Sequence, residues 1–216
     1  MLLKRNQIEE AVSHMLEPRS PEPTSELRTR LKRLLETDRA LARDTGSADL
    51  KGAHYAFYSA EAPGRGVEVW FSEYEAFALL YGLLLMKHGW PQSFAVVLLR
   101  RVRPELEKQH KRILAQDPQL LFDQEAIRRN ARPGDAAFDN TDPVLLTIVT
   151  KSGVTSNEQD EPYACAVCRG MGEAANFAKA SGSPANAWTM FEVVTAAHRL
   201  SLELSRTKPR HRGRGH

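Results

Sequence analysis

The longest run of mainly apolar residues extends from Val67 to Leu114 and predicts two antiparallel helices. Ser72 followed by Glu75 forms an S-x-x-E capping box, which is typical of a helix N-terminus. Apolar residues then recur at three- and four-residue spacing, which places them on one helical face. Gly89 can close this helix in a left-handed conformation, and Pro91 fits the first turn of the next one.

Turn residues divide the chain upstream of this run. Three prolines between residues 17 and 25 separate a short helix at Gln7–Leu16 from a second helix at Ser25–Arg43. Two segments rich in aromatic and β-branched residues follow, Ala53–Ser59 and Val67–Phe71. Because Pro and Gly lie between them, we predict a β-hairpin.

Downstream of the run, turn residues become frequent. Pro104 is expected to restart the helix rather than continue it. Residues 117–143 predict a linker with one short helix at Gln124–Asn130. The remaining predicted elements are two strands that pair as a hairpin and a final amphipathic helix, at Val144–Thr150, Tyr163–Cys168 and Trp188–Leu204.

These elements predict a mainly α fold with small β structure. A winged-helix-like helical domain with a β-hairpin is expected at residues 1–116, followed by the linker at 117–143. A small α+β domain is expected at 144–205, and residues 206–216 are expected to be a disordered basic tail.

Composition restricts the class of protein. The 216 residues are 42% hydrophobic, which suffices for a core, and no run of eighteen apolar residues predicts a membrane span. The first residues lack a secretory signal, and two cysteines make no disulfide framework. We therefore expect a soluble cytoplasmic protein with no membrane partner.

The formal net charge of +3 is unevenly distributed. Residues 206–216 hold five basic residues and no acid, and residues 117–180 hold ten acids against six bases. Residues 1–116 hold eighteen bases against fifteen acids. A basic front, an acidic middle and a basic tail are the charge distribution with which any nucleic-acid-binding hypothesis has to agree.

Two motifs suggest chemistry that their spacing does not support. Cys165 and Cys168 have no second pair to complete a zinc site, and residues three apart in a strand point to opposite faces. Two small buried residues are the better interpretation. Gly170 and Gly172 match G-x-G-x-x-A, but a tight strand-to-helix turn explains them better than a dinucleotide site does.

The histidines are scattered, and His198, on an apolar helix face, is predicted to be a hydrogen-bonded core residue rather than a general base. No hydrolase, metalloprotease or phosphate-loop motif occurs. We therefore expect no catalytic residue, no metal and no cofactor, and thus a protein that is not an enzyme.

Basic residues cluster on the second predicted helix and in the tail. On the helix, Arg28, Arg30, Lys32, Arg33 and Arg39 could contact phosphates, although Glu26, Glu36 and Asp38 could balance them as an ordinary solvated face. In the tail, Arg210, Arg212 and Arg214 would add non-specific electrostatic affinity for nucleic acid. The alternative there is a solubilising disordered end.

The predicted elements across residues 4–103 follow the order helix, helix, hairpin, helix, helix, which is similar to that of a known family of proteins. Phe71 and Ser72 end a strand and begin a capped helix, Glu75 completes the cap, and Gly89 lies in the following turn. In this respect the chain resembles the winged-helix DNA-binding domain of MerR-type regulators. The resemblance implies DNA binding through the second helix and the wing.

The chain also departs from that family's pattern. Glu68, Val69 and Trp70 stand where the family usually has a phosphate-contacting arginine, so Arg65 is the only basic residue at the wing tip. The prolines at residues 18–23 loosen the first helix-turn-helix, and the long dimerisation helix is reduced to Glu105–Ala115.

The leading hypothesis from the sequence is a cytoplasmic, non-enzymatic DNA-binding regulatory protein, in which Arg28, Arg30, Lys32, Arg33 and Arg65 hold phosphates. The alternative is a protein–protein adaptor that uses the same helices. Both leave a homodimer open. An enzyme of unknown class ranks third.

Overall fold

The computed structural model describes residues 1–41, 54–59, 68–131, 138–150, 163–181 and 187–209. Within them the chain is mainly helical with small antiparallel sheets, as predicted. The chain divides into two units, Met1–Arg103 with Arg199–His216 and Pro104–His198.

The first unit contains a helical core and a two-stranded sheet. The sheet pairs β1 (Leu2–Lys4) with β2 (Trp70–Ser72) in antiparallel register, with Leu3 opposite Phe71. The helices are α1 (Arg5–Leu16), α2 (Ser25–Ala40), α3 (Glu73–Lys87) and the first half of α4 (Gln92–Leu114). The last turns of a C-terminal helix complete this unit.

Helix α3 is buried on almost every side, so the core of the first unit is built around it. The predicted capping box is present: the Ser72 Oγ accepts from the Glu75 N–H at 3.2 Å, and the Glu75 carboxylate accepts from the Ser72 N–H at 2.7 Å. Gly89 ends the helix with φ of +88°, as predicted. The best-formed stretch of the sequence is therefore the scaffold of this unit.

The predicted β-hairpin is wrong. Strand β2 pairs with the N-terminal strand β1, and the described residues 54–59 form no strand. The reason is that side chains satisfy this segment's backbone. The Asp38 carboxylate accepts from the N–H groups of Ala56 and Phe57 at 3.0 and 2.9 Å, and the Arg103 guanidinium donates to nearby carbonyls.

Two helix boundaries also differ from the prediction. Pro104 does not restart the helix but lies inside α4, where it is exposed. Helix α2 ends at Ala40 rather than Arg43, because Leu41 has an extended backbone with ψ of 108°.

The second unit contains a three-stranded antiparallel sheet of order β4-β3-β5. The central strand is β3 (Val144–Thr150), and the predicted pairing with β4 (Tyr163–Arg169) is confirmed. Gly170, with φ of +73°, makes the predicted tight turn into α7 (Gly170–Ala180). Its residue Ala174 packs on Leu145 and Cys168 of the sheet.

The predicted final helix at Trp188–Leu204 is wrong in its first part. Residues Ala187–Glu192 form β5, which pairs with β3, and helix α8 runs only from Val194 to Arg206. The Glu192 carboxylate accepts from the N–H groups of Val194 and Thr195 at 2.7 and 3.0 Å and so caps α8. The boundary between β5 and α8 is therefore fixed by strand pairing before it and by the helix cap after it.

In sequence, two short helices follow α4 and precede β3: α5 (Pro118–Leu121) and α6 (Gln124–Asn130). The second confirms the predicted helix, and each begins after an aspartate, Asp117 or Asp123, whose side chain caps it. In the part of the chain that the structure describes, no helix is both long and apolar enough to cross a bilayer.

Candidate nucleic-acid interface

Helix α2 presents a basic outer face. Four leucines form its buried stripe, Leu27, Leu31, Leu34 and Leu35. They fix one side of the helix in the core, which leaves the opposite side in water. The exposed basic residues are Arg28, Arg30, Lys32, Arg33 and Arg39. The structure thus places all the basic residues singled out on this helix at the surface.

Asp38 does not balance these charges. The sequence placed this residue on the outer face, but it is fully buried, and its Oδ1 lies 2.7 Å from the Nε of Arg100. The exposed acids that remain on α2 are Glu26 and Glu36, against five basic residues. The outer face is therefore more basic than the sequence indicated.

The basic residues spread widely around the helix axis. At about 100° per residue, Arg28, Lys32 and Arg39 share one stripe, whereas Arg33 and Arg30 lie roughly 100° or more away. A spread of this width suits contact with charges on both sides of the helix. It would not focus charge on one small anion.

Arg28 pairs with the largely buried Glu9 of α1 at 3.8 Å, whereas the two ion pairs within α2 are exposed. Arg30 pairs with Glu26 one turn earlier, and Lys32 pairs with Glu36 at 3.6 Å. Exposed pairs of this kind stabilise a protein by about 0–1 kcal/mol and are screened by salt, so a phosphate could displace the glutamate. Among the described residues, no carboxylate pairs with Arg33.

The connection between α1 and α2 is held by side chains. The Glu17 carboxylate at the end of α1 accepts from the Thr24 hydroxyl at 2.9 Å, and Thr24 in turn caps α2 through the Leu27 N–H at 3.1 Å. Near the start of α1, Arg5 donates to the Arg28 carbonyl at 3.3 Å. These bonds orient α2 on α1 despite the prolines between them.

Two buried arginines of α4 support this region, and sequence reasoning missed both. Arg100 donates to the Asp38 carboxylate and to the Leu41 carbonyl, the latter at 2.7 Å. Arg103 donates to the carbonyls of Tyr55 and Tyr58, each at 2.7 Å. They join the end of α2 to the segment at residues 54–59.

A signal for these two arginines was present in the sequence. Arg100 and Arg103 continue the helical stripe of Val96 and Leu99, both fully buried. When arginines occupy the next positions of an apolar helical stripe, they can be buried only if carboxylates or carbonyl groups lie opposite them and accept their hydrogen bonds. Those partners come from α2, from residues 54–59 and from Glu75 of α3, which are far away in sequence.

The other predicted DNA-binding residues, Arg65, Arg210, Arg212 and Arg214, lie outside the described residues. Just after Arg65, Glu68 pairs with Lys4 at 2.7 Å, and the Lys4 ammonium also lies 5.1 Å from the centre of the Trp70 ring. Lys4 thus neutralises the acid that stands where the MerR-type pattern has arginine.

The two cysteines lie on the sheet, as expected from their strand spacing. Cys165 is opposite Ile148 and half-buried, whereas Cys168 is opposite Leu145 and buried. These partners belong to opposite faces of the sheet. Burial raises the pKa of the Cys168 thiol, which disfavours the reactive thiolate.

His198 is half-buried and hydrogen-bonded, as predicted. Its Nε2 lies 3.1 Å from the Ile113 carbonyl, and its ring meets Phe122 edge-on. Burial lowers the pKa of this histidine despite the carbonyl bond. Among the described residues, no three His, Cys, Asp or Glu side chains are grouped as a metal site would require.

Comparison of the chain with protein-family models, curated proteins and solved structures finds no match. The resemblance to MerR-type regulators therefore stays a prediction that rests on the residues themselves.

Proposed function

We propose that this protein is a cytoplasmic, non-enzymatic DNA-binding regulatory protein whose main contact with DNA is the outer face of α2. The observation that carries the proposal is the exposure of five basic residues on α2, while one of its three acids, Asp38, is buried against Arg100. The proposal keeps the MerR-type resemblance for the order of the helices and the capped start of α3. It does not include the predicted wing hairpin, because β2 pairs with β1 instead.

The dimensions and charges of α2 fit a duplex. An α-helix with its side chains is about 10–12 Å across, and the major groove of B-DNA is about 12 Å wide. Basic side chains spread around the exposed side, such as Arg28 and Arg33, would face the phosphates on both walls of the groove. Phosphate contacts of this kind position a protein on DNA without specifying its sequence.

Retention of duplex DNA at increasing salt tests the proposal. Replacing Arg28→Gln and Arg33→Gln removes charge from the two sides of α2 without touching its leucine stripe. Each lost phosphate contact should reduce the slope of log affinity against log salt by about 0.9, so the double variant should lose about 1.8.

A matched control is available in the second unit. Arg128 and Arg129 are exposed on α6, so Arg128→Gln with Arg129→Gln removes the same charge elsewhere. This control should retain both affinity and salt slope. If the full chain retains no duplex at low salt, or if both double variants behave alike, α2 is not a DNA contact.

One observation favours the adaptor alternative. On the outer face of the small sheet, Leu2 and Trp70 are 67% and 45% exposed, and exposed apolar side chains are typical of protein contacts. In that case Leu2→Ser with Trp70→Ser would abolish binding of a protein partner and leave DNA retention unchanged.

A further inference from the structure

Strand β5 is the edge strand of the sheet in the second unit. The strand order is β4-β3-β5, so β3 pairs with one side of β5, and within the described residues no strand pairs with its other side. Its sequence, Ala187–Glu192, holds no lysine and no proline, and its continuous register with β3 shows no bulge. Proteins commonly protect an edge strand with one of these features. The outer side of β5 is therefore an unprotected edge.

The backbone groups that β5 directs outward belong to Trp188 and Met190. Opposite residues of an antiparallel pair alternate between hydrogen-bonded and non-hydrogen-bonded pairs. The Val193 N–H donates to the Val144 carbonyl at 2.9 Å and continues the register of β5 on β3, so the odd-numbered residues of β5 bond to β3. Trp188 and Met190, which alternate with them, direct their N–H and C=O groups to the open edge.

The other side of β3 gives the same alternation. The Gly170 N–H donates to the Pro143 carbonyl at 2.8 Å and continues the register of β4 on β3. The odd-numbered residues of β3 therefore bond to β4, which leaves the even-numbered ones for β5. Because Ile148 lies opposite Thr189, this agrees with the assignment made from β5 itself.

The side chains of the same two residues are exposed and apolar. Trp188 is 44% and Met190 is 38% exposed, and these are the exposed large apolar side chains of this sheet among the described residues. Met190 lies opposite Thr147, on the same face of the sheet as Leu145. On that face α7 packs on Leu145 and Cys168, which belong to β3 and β4, and leaves the β5 side chains in water.

We propose that β5 pairs with β5 of a second copy of this chain, antiparallel about a two-fold axis through Thr189 and perpendicular to the sheet. Trp188 of each copy then lies opposite Met190 of the other. Their outward N–H and C=O groups form two hydrogen-bonded pairs, or four N–H···O=C bonds. The two three-stranded sheets become one sheet of six strands, with α7 on the same face in both copies.

The choice of a second copy as the partner follows from the symmetry of this edge. A two-fold contact brings the same surface together from both copies, so each group must find its complement within its own strand. Trp188 and Met190 meet this condition, because a thioether sulfur packs favourably against an aromatic ring and cross-strand pairs stabilise a sheet. The one charged residue of β5, Glu192, caps α8, so no like charges meet at the centre of the pair.

The contact is short, and the dimer is therefore expected to be weak. The hydrogen bonds and the Trp–Met pairs come from three residues of each strand, and small interfaces dissociate at micromolar concentrations or above. This pairing does not depend on DNA binding by α2, and its test contains no DNA.

Sedimentation velocity of the full-length chain from about 1 μM to 1 mM tests the pairing. The mass should rise with concentration from the chain mass of 24.2 kDa to about twice that value and no further. A monomer at every concentration, or growth beyond a dimer, would overturn the proposal.

Two variants address the backbone and the side chains of the edge. Met190→Pro removes one outward N–H in each copy without removing a donor to β3, and an edge strand tolerates proline at such a position. Trp188→Lys with Met190→Lys places like charges opposite each other. Each variant should raise the dimer Kd at least about tenfold. A Kd unchanged in both variants would place the dimer contact elsewhere and overturn the pairing.

A charge-reversed variant tests the register. Trp188→Lys with Met190→Glu removes the same two apolar side chains, but the two-fold axis then places opposite charges across the pair. Its Kd at low salt should be at least about tenfold below that of the variant with two lysines. Equal dissociation of the two variants would exclude Trp188 opposite Met190 and overturn the proposed pairing.

The matched control is Leu120→Lys with Leu202→Lys, which adds two lysines in place of exposed leucines outside the sheet. This control should dimerise like the unaltered chain, and a loss as large as that of the edge variants would overturn the assignment to β5. Far-UV circular dichroism verifies that each variant is folded. If the variant with two lysines does not fold, Met190→Pro and the charge-reversed variant decide the outcome against this control.

Discussion

Arg100 and Asp38 form a fully buried ion pair that joins α4 to α2, with the arginine Nε 2.7 Å from the aspartate Oδ1. The remaining acceptor positions of Asp38 take the N–H groups of Ala56 and Phe57. One carboxylate thus orders a second helix and an irregular segment at once. The buried pair also removes a negative charge from the helix that carries the basic face.

Replacing Asp38→Asn is expected to destabilise the first unit by about 3–5 kcal/mol, because the buried Arg100 guanidinium would lose the carboxylate charge that its Nε contacts at 2.7 Å. Replacing Asp38→Leu together with Arg100→Met removes both charges but leaves the Ala56 and Phe57 N–H groups without an acceptor. This double variant should therefore recover only part of the loss. Urea unfolding at neutral pH measures both effects.

The exposed pair of Lys32 and Glu36 provides the control for that experiment. Lys32→Met with Glu36→Leu should change the free energy of unfolding by no more than about 1 kcal/mol. If the Asp38→Asn variant had the same free energy of unfolding as this control, the buried pair would have no structural role.

Gly82 allows α2 to approach α3 closely. A Cβ at this position would lie 3.0 Å from the Leu34 Cδ1 and 3.2 Å from the Phe57 Cζ. Gly82→Ala should therefore lower the free energy of unfolding by up to about 2 kcal/mol, because crowding of about 1–3 kcal/mol opposes a helix-propensity gain of about 1 kcal/mol.

Gly172 in α7 is the matched control, since a Cβ there would meet no atom within 4 Å. Gly172→Ala should leave the thermal midpoint unchanged or raise it. A rise of the midpoint in both variants would show that α2 is not packed tightly against α3.

Asp142 makes the stability of the second unit depend on pH. Burial alone would raise its pKa, but hydrogen bonds from Arg112 at 2.6 Å and Gln116 at 3.0 Å, with the charge of Arg169, outweigh burial and lower the pKa. Because the folded-state pKa is the lower one, the stabilisation is present above the unfolded value of about 3.9. It is lost as the pH falls through the folded value.

Asp142→Asn should therefore lower the free energy of unfolding of the second unit at pH 7. At a pH below the folded-state pKa of Asp142, the variant and the unaltered protein should have nearly the same stability. Trp188 reports on this unit in a background with Trp70→Phe and Trp90→Phe, and urea unfolding followed by its fluorescence measures the difference at each pH. Asp139→Asn, at an exposed neighbour, should not change stability at pH 7. A gap between the Asp142 variant and its background that is constant with pH would disprove the ion-pair assignment.

Much of the fold could be predicted because its signals are local. The capping box at Ser72 and Glu75, the left-handed Gly89, and the short helix at Gln124–Asn130 each depend on residues within one or two turns. Local signals failed where a distant partner decided the structure. The apolar residues from Trp188 onward have the spacing of a helix. The first of them form a strand instead, because their backbone pairs with the edge of β3.

The features of the candidate interface also differ in whether local sequence signals could predict them. The leucine spacing of α2 predicted which of its sides would face solvent, and so predicted the exposure of Arg28 and Lys32. It could not predict the burial of Asp38, because the partner of that residue is sixty-two positions away on α4.

The sequence by itself determined the helices of the first unit, the pairing of β3 with β4 in the second and the basic residues that α2 exposes. Periodicity and caps carry that information, since they act between neighbouring residues. Only the tertiary structure decided that β2 pairs with β1, that Arg100 and Arg103 are buried, and that Lys208 lies beside Asn6. Those outcomes depend on which distant groups satisfy a buried hydrogen bond or charge, and the folded chain alone brings those groups together.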